Sequence, residues 1–440
     1  MASLPSVHRS LRRPLIWFVI AALPLLAMWG TLRAVHLPFS HGARPFDYAS
    51  ESYMRWPKFW PFQLPGGAEP TFFDLQVILW GCEVTRAGRD VYTEPPADAT
   101  PYYYNYPRAW LVLSHLGLDR TWTQTLGLLQ AAIFLIAVLA VMRPHDPISA
   151  GCTLAGVFCP PAIEAIAVSN NDLLLFGLLA LAGWWWARRW LGGWPAIVLT
   201  GGAAILKLYP ICALLSFLDG TRRTFIAAAL AVVALGIFFF VHLDELQHAA
   251  RTTPHPHALA IGSQVLTSRL LDGTTRHPPT RALLDKAGGY QNWERFLPLA
   301  TSVFLLLLLA ACAWRGYRRS GNAGTFPAVA EPTRTFFRLG ACLHLAYFAI
   351  GHNWNHREIL LILVVPWLLA SRRFWLVLLI IAIWWLAGVV TGPIYLAVQL
   401  GTWVLTGALA YWLACDLAPD LTQTLRTFRR TAESAALPSS

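Results

Sequence analysis

The chain is a succession of apolar runs separated by short polar turns, many of which carry paired arginines. Several runs hold close to 20 residues with almost no charge, enough to cross about 30 Å of hydrocarbon as an α-helix. Punctuating them are Arg12-Arg13, Arg143, Arg188-Arg189, Arg222-Arg223, Arg315 with Arg318-Arg319, Arg372-Arg373, and Arg426 with Arg429-Arg430. Basic residues gather on the cytoplasmic side of membrane proteins, so these groups should share that side. Helices fitted between them are predicted at 14–35, 121–142, 148–168, 171–187, 194–209, 210–218, 224–242, 296–314, 335–351, 358–371, 374–391 and 393–414. About 12 segments result, all α, with both chain ends inside and every basic group on one face. The first run, which reaches Leu32, is longer than a signal-peptide core and lacks an obvious small-residue cleavage site, so it reads as an uncleaved span.

The expected organisation is a cytoplasmic N-terminus 1–13, one transmembrane domain 14–414, and a cytoplasmic tail 415–440 that is short, basic and disordered towards its end. Two long loops, 36–120 and 243–295, fall on the outer face and carry most of the carboxylates. Composition agrees with this reading. The chain is 56% hydrophobic and 13% charged, against about a quarter charged in a soluble domain. Its 21 tryptophans suit the belts at membrane–water interfaces. The net charge of +11 does not argue for nucleic acid, because the arginines cap apolar segments rather than line a stripe. Seven cysteines, mostly inside apolar runs, give no disulfide framework and no metal spacing. No pair of matching halves suggests an inverted-repeat transporter.

The polar, aromatic stretch 66–107 interrupts the pattern and holds the first candidate chemistry. Pro70-Thr71-Phe72-Phe73-Asp74 should open an amphipathic helix that runs to Arg86-Ala87 and stops at Gly88. Thr71 and Asp74 have the spacing of a capping box, while a carboxylate at a rigid helix start could equally serve as a general base. Ser169-Asn170-Asn171-Asp172 has the same capping spacing between two apolar runs. Lys207 is one of only three lysines, with Lys58 and Lys286, and lies near the outer end of an apolar segment. It either snorkels to the interface or supplies a cation to an anionic lipid headgroup. The turn from Gly351 to Glu358 (Gly-His-Asn-Trp-Asn-His-Arg-Glu) is the densest polar cluster between spans and could clamp a phosphate through His352, His356 and Arg357. No HExxH glutamate separates the two histidines, and no metal site is assigned. Prolines at 254, 256, 278 and 279 make the second outer loop irregular around short helices, with Arg269 among its polar residues.

Several of these stretches, in order, resemble glycosyltransferase family 87 of the C-type superfamily of lipid-linked sugar transferases. Phe73-Asp74, Ala87-Gly88-Arg89-Asp90-Val91-Tyr92 and Tyr104-Asn105-Tyr106-Pro107 look like that family's first outer loop. Asn170-Asn171-Asp172-Leu173, then Leu206-Lys207-Leu208-Tyr209-Pro210 with Arg222-Arg223, are similar to its central helices and are the most specific part. Ile261-Gly262-Ser263-Gln264 with Arg269-Leu270 distantly resemble its later outer loop, and the His352–Glu358 turn sits where the family has a polar turn before its last helices. Tyr106-Pro107-Arg108 departs from a more usual Tyr-Pro-Pro, and the 40–70 loop is long, which bears on the acceptor rather than the reaction.

The resemblance implies transfer of one sugar, usually mannose, from a polyprenyl-phosphate donor to a lipid or glycan acceptor, with inversion and without cofactor or metal. It implies Asp74 as catalytic base and Lys207, His352, His356 and Arg357 on the donor phosphate. Tyr102, Tyr104, Tyr106, Asn171, Asp172 and Arg269 would line the substrate path. The site would lie on the periplasmic face of a bacterial inner membrane. Other readings are a transferase for another sugar such as arabinofuranose or glucose, a lipid or solute transporter or flippase, and a scaffold subunit with a decayed site.

Overall fold

A computed structural model describes residues 72–93, 104–252, 260–267, 290–320, 329–351, 353–386 and 392–436. The predicted span 14–35, Thr71, Tyr102, Arg269 and His352 lie outside the described residues. In chain order the helices are α1 Phe73–Arg86, α2 Thr123–Met142, α3 Pro147–Val157, α4 Pro160–Val168, α5 Asp172–Ala187, α6 Trp194–Leu206 and α7 Arg222–Val241. They continue as α8 Leu243–Thr252, α9 Tyr290–Ser320, α10 Glu331–Ala349, α11 Val365–Ala370, α12 Phe374–Leu386 and α13 Gly392–Ala436. Among the described residues the β-structure is one two-residue antiparallel pairing, β1 (Ala260–Ile261) with β2 (Asn353–Trp354).

The protein is an all-α membrane protein. Four helices are long and apolar enough to cross a bilayer: Arg120–Met142, Arg222–Val241, Phe296–Ser320 and Pro393–Arg430. A fifth follows if α3 and α4, bent by 47° at their junction, are one broken span. Phe240, Ile237 and Leu307 are 77%, 60% and 66% exposed, a display of large apolar side chains that water does not tolerate and lipid does.

Several predicted spans differ in detail, and proline explains most of it. The predicted 148–168 helix breaks at Pro160-Pro161, where Cys159 becomes the N-cap of α4 and its carbonyl takes the Ala162 and Ile163 N–H groups. The predicted 210–218 segment is a 3₁₀ helix, Tyr209–Phe217, with Pro210 in its first turn. The predicted 358–371 helix is a 3₁₀ helix, Asn355–Leu363, followed by the short α11. At the other end of the chain α13 runs on past the predicted span end at 414, through Pro419 to Ala436, and the last four residues, where disorder is expected, lie outside the described residues.

The chain divides into two compact units. The first holds the chain up to Leu181 with Ile205–Lys207 and Val241–Thr253. Its core is built on α1. One face of α1, with Phe73, Val77, Trp80 and Val84, packs against Val91, Tyr92, Tyr104 and Leu111. The opposite face, Leu75 and Leu79, packs with Phe72 against Leu118, Leu126 and Leu128. Gly81 permits the first contact, because a Cβ there would lie 2.5 Å from the Tyr104 ring.

The second unit holds Ala182–Ala204, Leu208–Phe240 and Pro254–Ser440. Helices α9 and α13 run together in it, with Gly316 so close that a Cβ would sit 2.2 Å from the Tyr411 carbonyl oxygen. A buried charge lattice ties α10 to α13. Arg338 bonds Asp416, Asp420 and the Leu218 carbonyl, and Arg334 Nε lies 2.8 Å from Asp416. That lattice supplies the physical reason for the ordered extension of α13 past residue 414.

Candidate active site

Four segments of the first unit converge on Asp74. The carboxylate lies in the first turn of α1, where exposed helix N–H groups favour negative charge. The N-cap is not the residue that the capping-box spacing predicts. The N-cap is Phe72, in the left-handed region at φ 63°, and no side chain caps the helix. Phe72 is held there by its N–H to the Ala167 carbonyl at 2.9 Å and by its ring against Gly127, where a Cβ would meet it at 2.4 Å. This pinned residue fixes where α1 starts and leaves the Asp74 carboxylate to other partners.

Those partners are Asn170 and Tyr106. Asn170 Nδ2 donates to Asp74 Oδ2. The Tyr106 hydroxyl hydrogen-bonds the same carboxylate. Helix α4 ends in a left-handed Ser169 at φ 49°, with the Asn170 N–H reaching back to the Ala165 carbonyl at 2.8 Å. The Ser169 hydroxyl donates to Gln130 Oε1 at 3.1 Å, so the predicted Ser169–Asp172 box is not formed. Asn170 takes the capping role, its Oδ1 accepting the Asp172 N–H at 2.9 Å.

Lys207 neither snorkels nor stands bare. Its Nζ donates to Asp172 Oδ1 at 2.6 Å and to Asn170 Oδ1 at 3.1 Å, and the two charged side chains are 12% and 0% exposed. Immediately before it, the Leu206 carbonyl at the C-terminus of α6 accepts the Trp110 indole N–H at 3.2 Å. Asn170 is therefore the hub. One amide bonds the Asp74 carboxylate, the Lys207 ammonium and the backbone together, aligning Asp74 and Lys207 through a single side chain.

The aromatic stretch closes the other side. Tyr104 lies 5.9 Å from Tyr106 and 5.5 Å from Tyr92, both edge-on, and the Tyr92 hydroxyl donates to the Tyr106 carbonyl at 3.1 Å. Glu245 on α8 steadies the strip, pairing with Arg108 at 2.9 Å. Asn171, 1% exposed, has neither amide atom hydrogen-bonded among the described residues. A buried amide without partners costs about 1–3 kcal/mol, a penalty that a hydroxyl-bearing ligand would relieve.

Burial pushes the Asp74 carboxyl up to about 6, opposed by the Asn170 hydrogen bond and the Lys207 charge and reinforced by the Asp172 charge. Burial, with Asp74 next to it, holds the Tyr106 phenol well above its ordinary range, so it stays a donor. A carboxylate with this affinity is largely ionised at pH 7 yet basic enough to take a proton from an attacking hydroxyl. With Asp172 already facing Lys207, the three charges sum to about −1 when all are ionised, so Lys207 meets any incoming anion as a shared cation.

Of the sequence-predicted residues, the structure brings together Asp74, Tyr104, Tyr106, Asp172 and Lys207, with Asn171 beside them in the chain. His356 and Arg357 belong to the second unit. There His356 is buried and stacks on Trp354 at 6.2 Å, and the Arg357 guanidinium lies 5.2 Å over the Tyr209 ring. Asn170 was not among the predicted site residues. Its spacing marked only a turn, and its partner Asp74 lies 96 positions away. Among the described residues no group of three or more His, Cys, Asp or Glu gathers as a metal site would require. Comparison with models of protein families, with curated proteins and with solved structures finds no match.

Proposed function

We infer that the protein is an inverting glycosyltransferase of the membrane, using a sugar carried on polyprenyl phosphate. The observation that carries this reading is the Asp74 carboxylate, tuned to about 6 and held by Asn170 and Tyr106 beside the Lys207–Asp172 pair. The order of Phe73-Asp74, Asn170-Asn171-Asp172 and Leu206-Lys207-Leu208-Tyr209-Pro210 supports it through the family resemblance.

In the proposed step an acceptor hydroxyl attacks the anomeric carbon as the bond from that carbon to the phosphate oxygen breaks. Asp74 takes the hydroxyl proton, and the polyprenyl phosphate leaves with the electron pair. Lys207, joined to Asp74 through Asn170, would share its charge between Asp172 and the phosphate. Roles for His352, His356 and Arg357 at that phosphate rest on the sequence alone, through the residue types of the turn and the resemblance. The same reading includes about 12 membrane segments in a C-type transferase architecture, mannose as the sugar, and a site on the periplasmic face of a bacterial inner membrane.

The test is transfer of radiolabel from polyprenyl-phosphate-mannose in membranes carrying wild-type protein or Asp74→Asn. Label in a new lipid or glycan with wild type, reduced at least a hundredfold by the substitution, is the expected result. Full transfer by a folded Asp74→Asn protein would remove Asp74 as the base.

A further inference from the structure

The second unit carries a large groove that the proposed chemistry does not use. It opens between α9, α12 and α13 with a volume of about 930 Å³, far larger than one inorganic anion requires. Its walls are mostly apolar, with Leu308 on α9 and Leu400 and Val404 on α13 at one end. Arg315, Arg319 and Arg373 line the other end, and among the described residues the lining includes no carboxylate.

These cations are not spent elsewhere. Among the described residues no ion pair is formed by any of the three. The Arg373 guanidinium lies 4.1 Å over the Trp412 ring, and its Nε is buried without a hydrogen-bond partner. The carboxylate next in sequence to the groove, Asp416 after Cys415, is already held by Arg334 and Arg338. The charged end also matches the expected membrane depth. Arg315 and Arg319 lie in the last turns of α9, Arg373 immediately precedes α12, and their arginine groups belong to the set assigned to the cytoplasmic side. A groove with an apolar stem and a basic mouth at that interface has the form of an anionic-lipid site.

We propose that this groove binds an anionic phospholipid of the cytoplasmic leaflet, its phosphate between Arg315, Arg319 and Arg373 and its acyl chains along Leu308, Leu400 and Val404. Arg373, braced on Trp412, presents its fork to the phosphate, and the two α9 arginines lie one turn apart to meet it. Guanidinium groups suit this better than ammonium groups, being weakly hydrated and able to bond two phosphate oxygens at once.

The experiment uses the full chain, purified in mild detergent, delipidated and titrated with phosphatidylglycerol or phosphatidylcholine by native mass spectrometry. Wild-type protein should retain phosphatidylglycerol at least tenfold more tightly. Arg315→Gln/Arg319→Gln, changed at exposed positions that should not disturb folding, should lose most of that preference, and adding Arg373→Gln should abolish it. Arg426→Gln/Arg430→Gln removes the same charge from α13 outside the groove and should leave the preference intact. Equal uptake of the two lipids by wild type, or equal loss in the control pair, would overturn the site. Displacement of the lipid by millimolar glycerol phosphate would assign the arginines to a free anion and overturn the lipid.

Discussion

Replacing Tyr106 by Phe tests the tuning of Asp74 without touching the carboxylate. The hydroxyl donates to the ionised form of Asp74, so its loss must raise the affinity of that carboxylate for a proton. The Tyr106 bond acts on Asp74 less than the Asn170 bond or the Lys207 charge, so its loss should raise the pKa by no more than about one unit, about 1.36 kcal/mol. Starting from about 6 in the wild type, the variant should titrate no higher than about 7. At pH 7 the ionised fraction then falls from about nine-tenths towards about a half. The assay is kcat/KM for sugar transfer from pH 5 to 9. The acidic limb should move upward, with transfer at pH 7 reduced up to about twofold and recovered at pH 9. An unmoved limb, or one displaced to lower pH, would refute the tuning argument. Loss at every pH would show that Tyr106 matters through packing, not through the proton.

Three further outcomes follow from the same geometry. Because Asp74 binds its proton more tightly folded than unfolded, the stability this provides is full below about pH 4 and is lost as pH rises through about 6. Wild-type protein should therefore lose about 2 kcal/mol relative to Asp74→Asn between pH 4.5 and 7.5, read by thermal unfolding at those two values. Gly81→Ala places a methyl 2.5 Å from the Tyr104 ring, so it should destabilise by about 1–3 kcal/mol and lower transfer by displacing Tyr106; an unchanged melting temperature would contradict the contact. Arg338→Met leaves Asp416 to Arg334 alone and the buried Leu218 carbonyl without its donor, and should cost about 1–3 kcal/mol in thermal unfolding, whereas an exposed Arg426→Met should cost less than about 0.5 kcal/mol.

What the sequence made legible follows from what is local. Helix α1 stops where the residue pattern says it should, because Gly88 takes a positive φ of 71° that a side chain would resist. The long apolar helices are legible for the same reason, their length and uniformity needing no partner to be recognised. The spacing of Thr71 and Asp74 did not locate the N-cap, because such spacing is permissive. Phe72, pinned by Gly127 and the Ala167 carbonyl, took the N-cap and released the carboxylate to Asn170. Order in α13 past residue 414 was hidden for a related reason. Arg334 and Arg338, and Asp416 and Asp420, each lie four apart on one helix face, but only the fold sets one pair against the other. Lys207 likewise showed its rarity in the sequence and not its carboxylate.

The most direct measurement uses purified protein in liposomes with a doubly labelled donor, one isotope in the sugar and one in the polyprenyl phosphate. The account requires one polyprenyl phosphate released for each new glycosidic bond, with the anomeric configuration inverted and neither product formed by Asp74→Asn. Donor that equilibrates across the bilayer with both labels still joined, at equal rates in wild type and Asp74→Asn, would contradict it and make the protein a carrier of lipids.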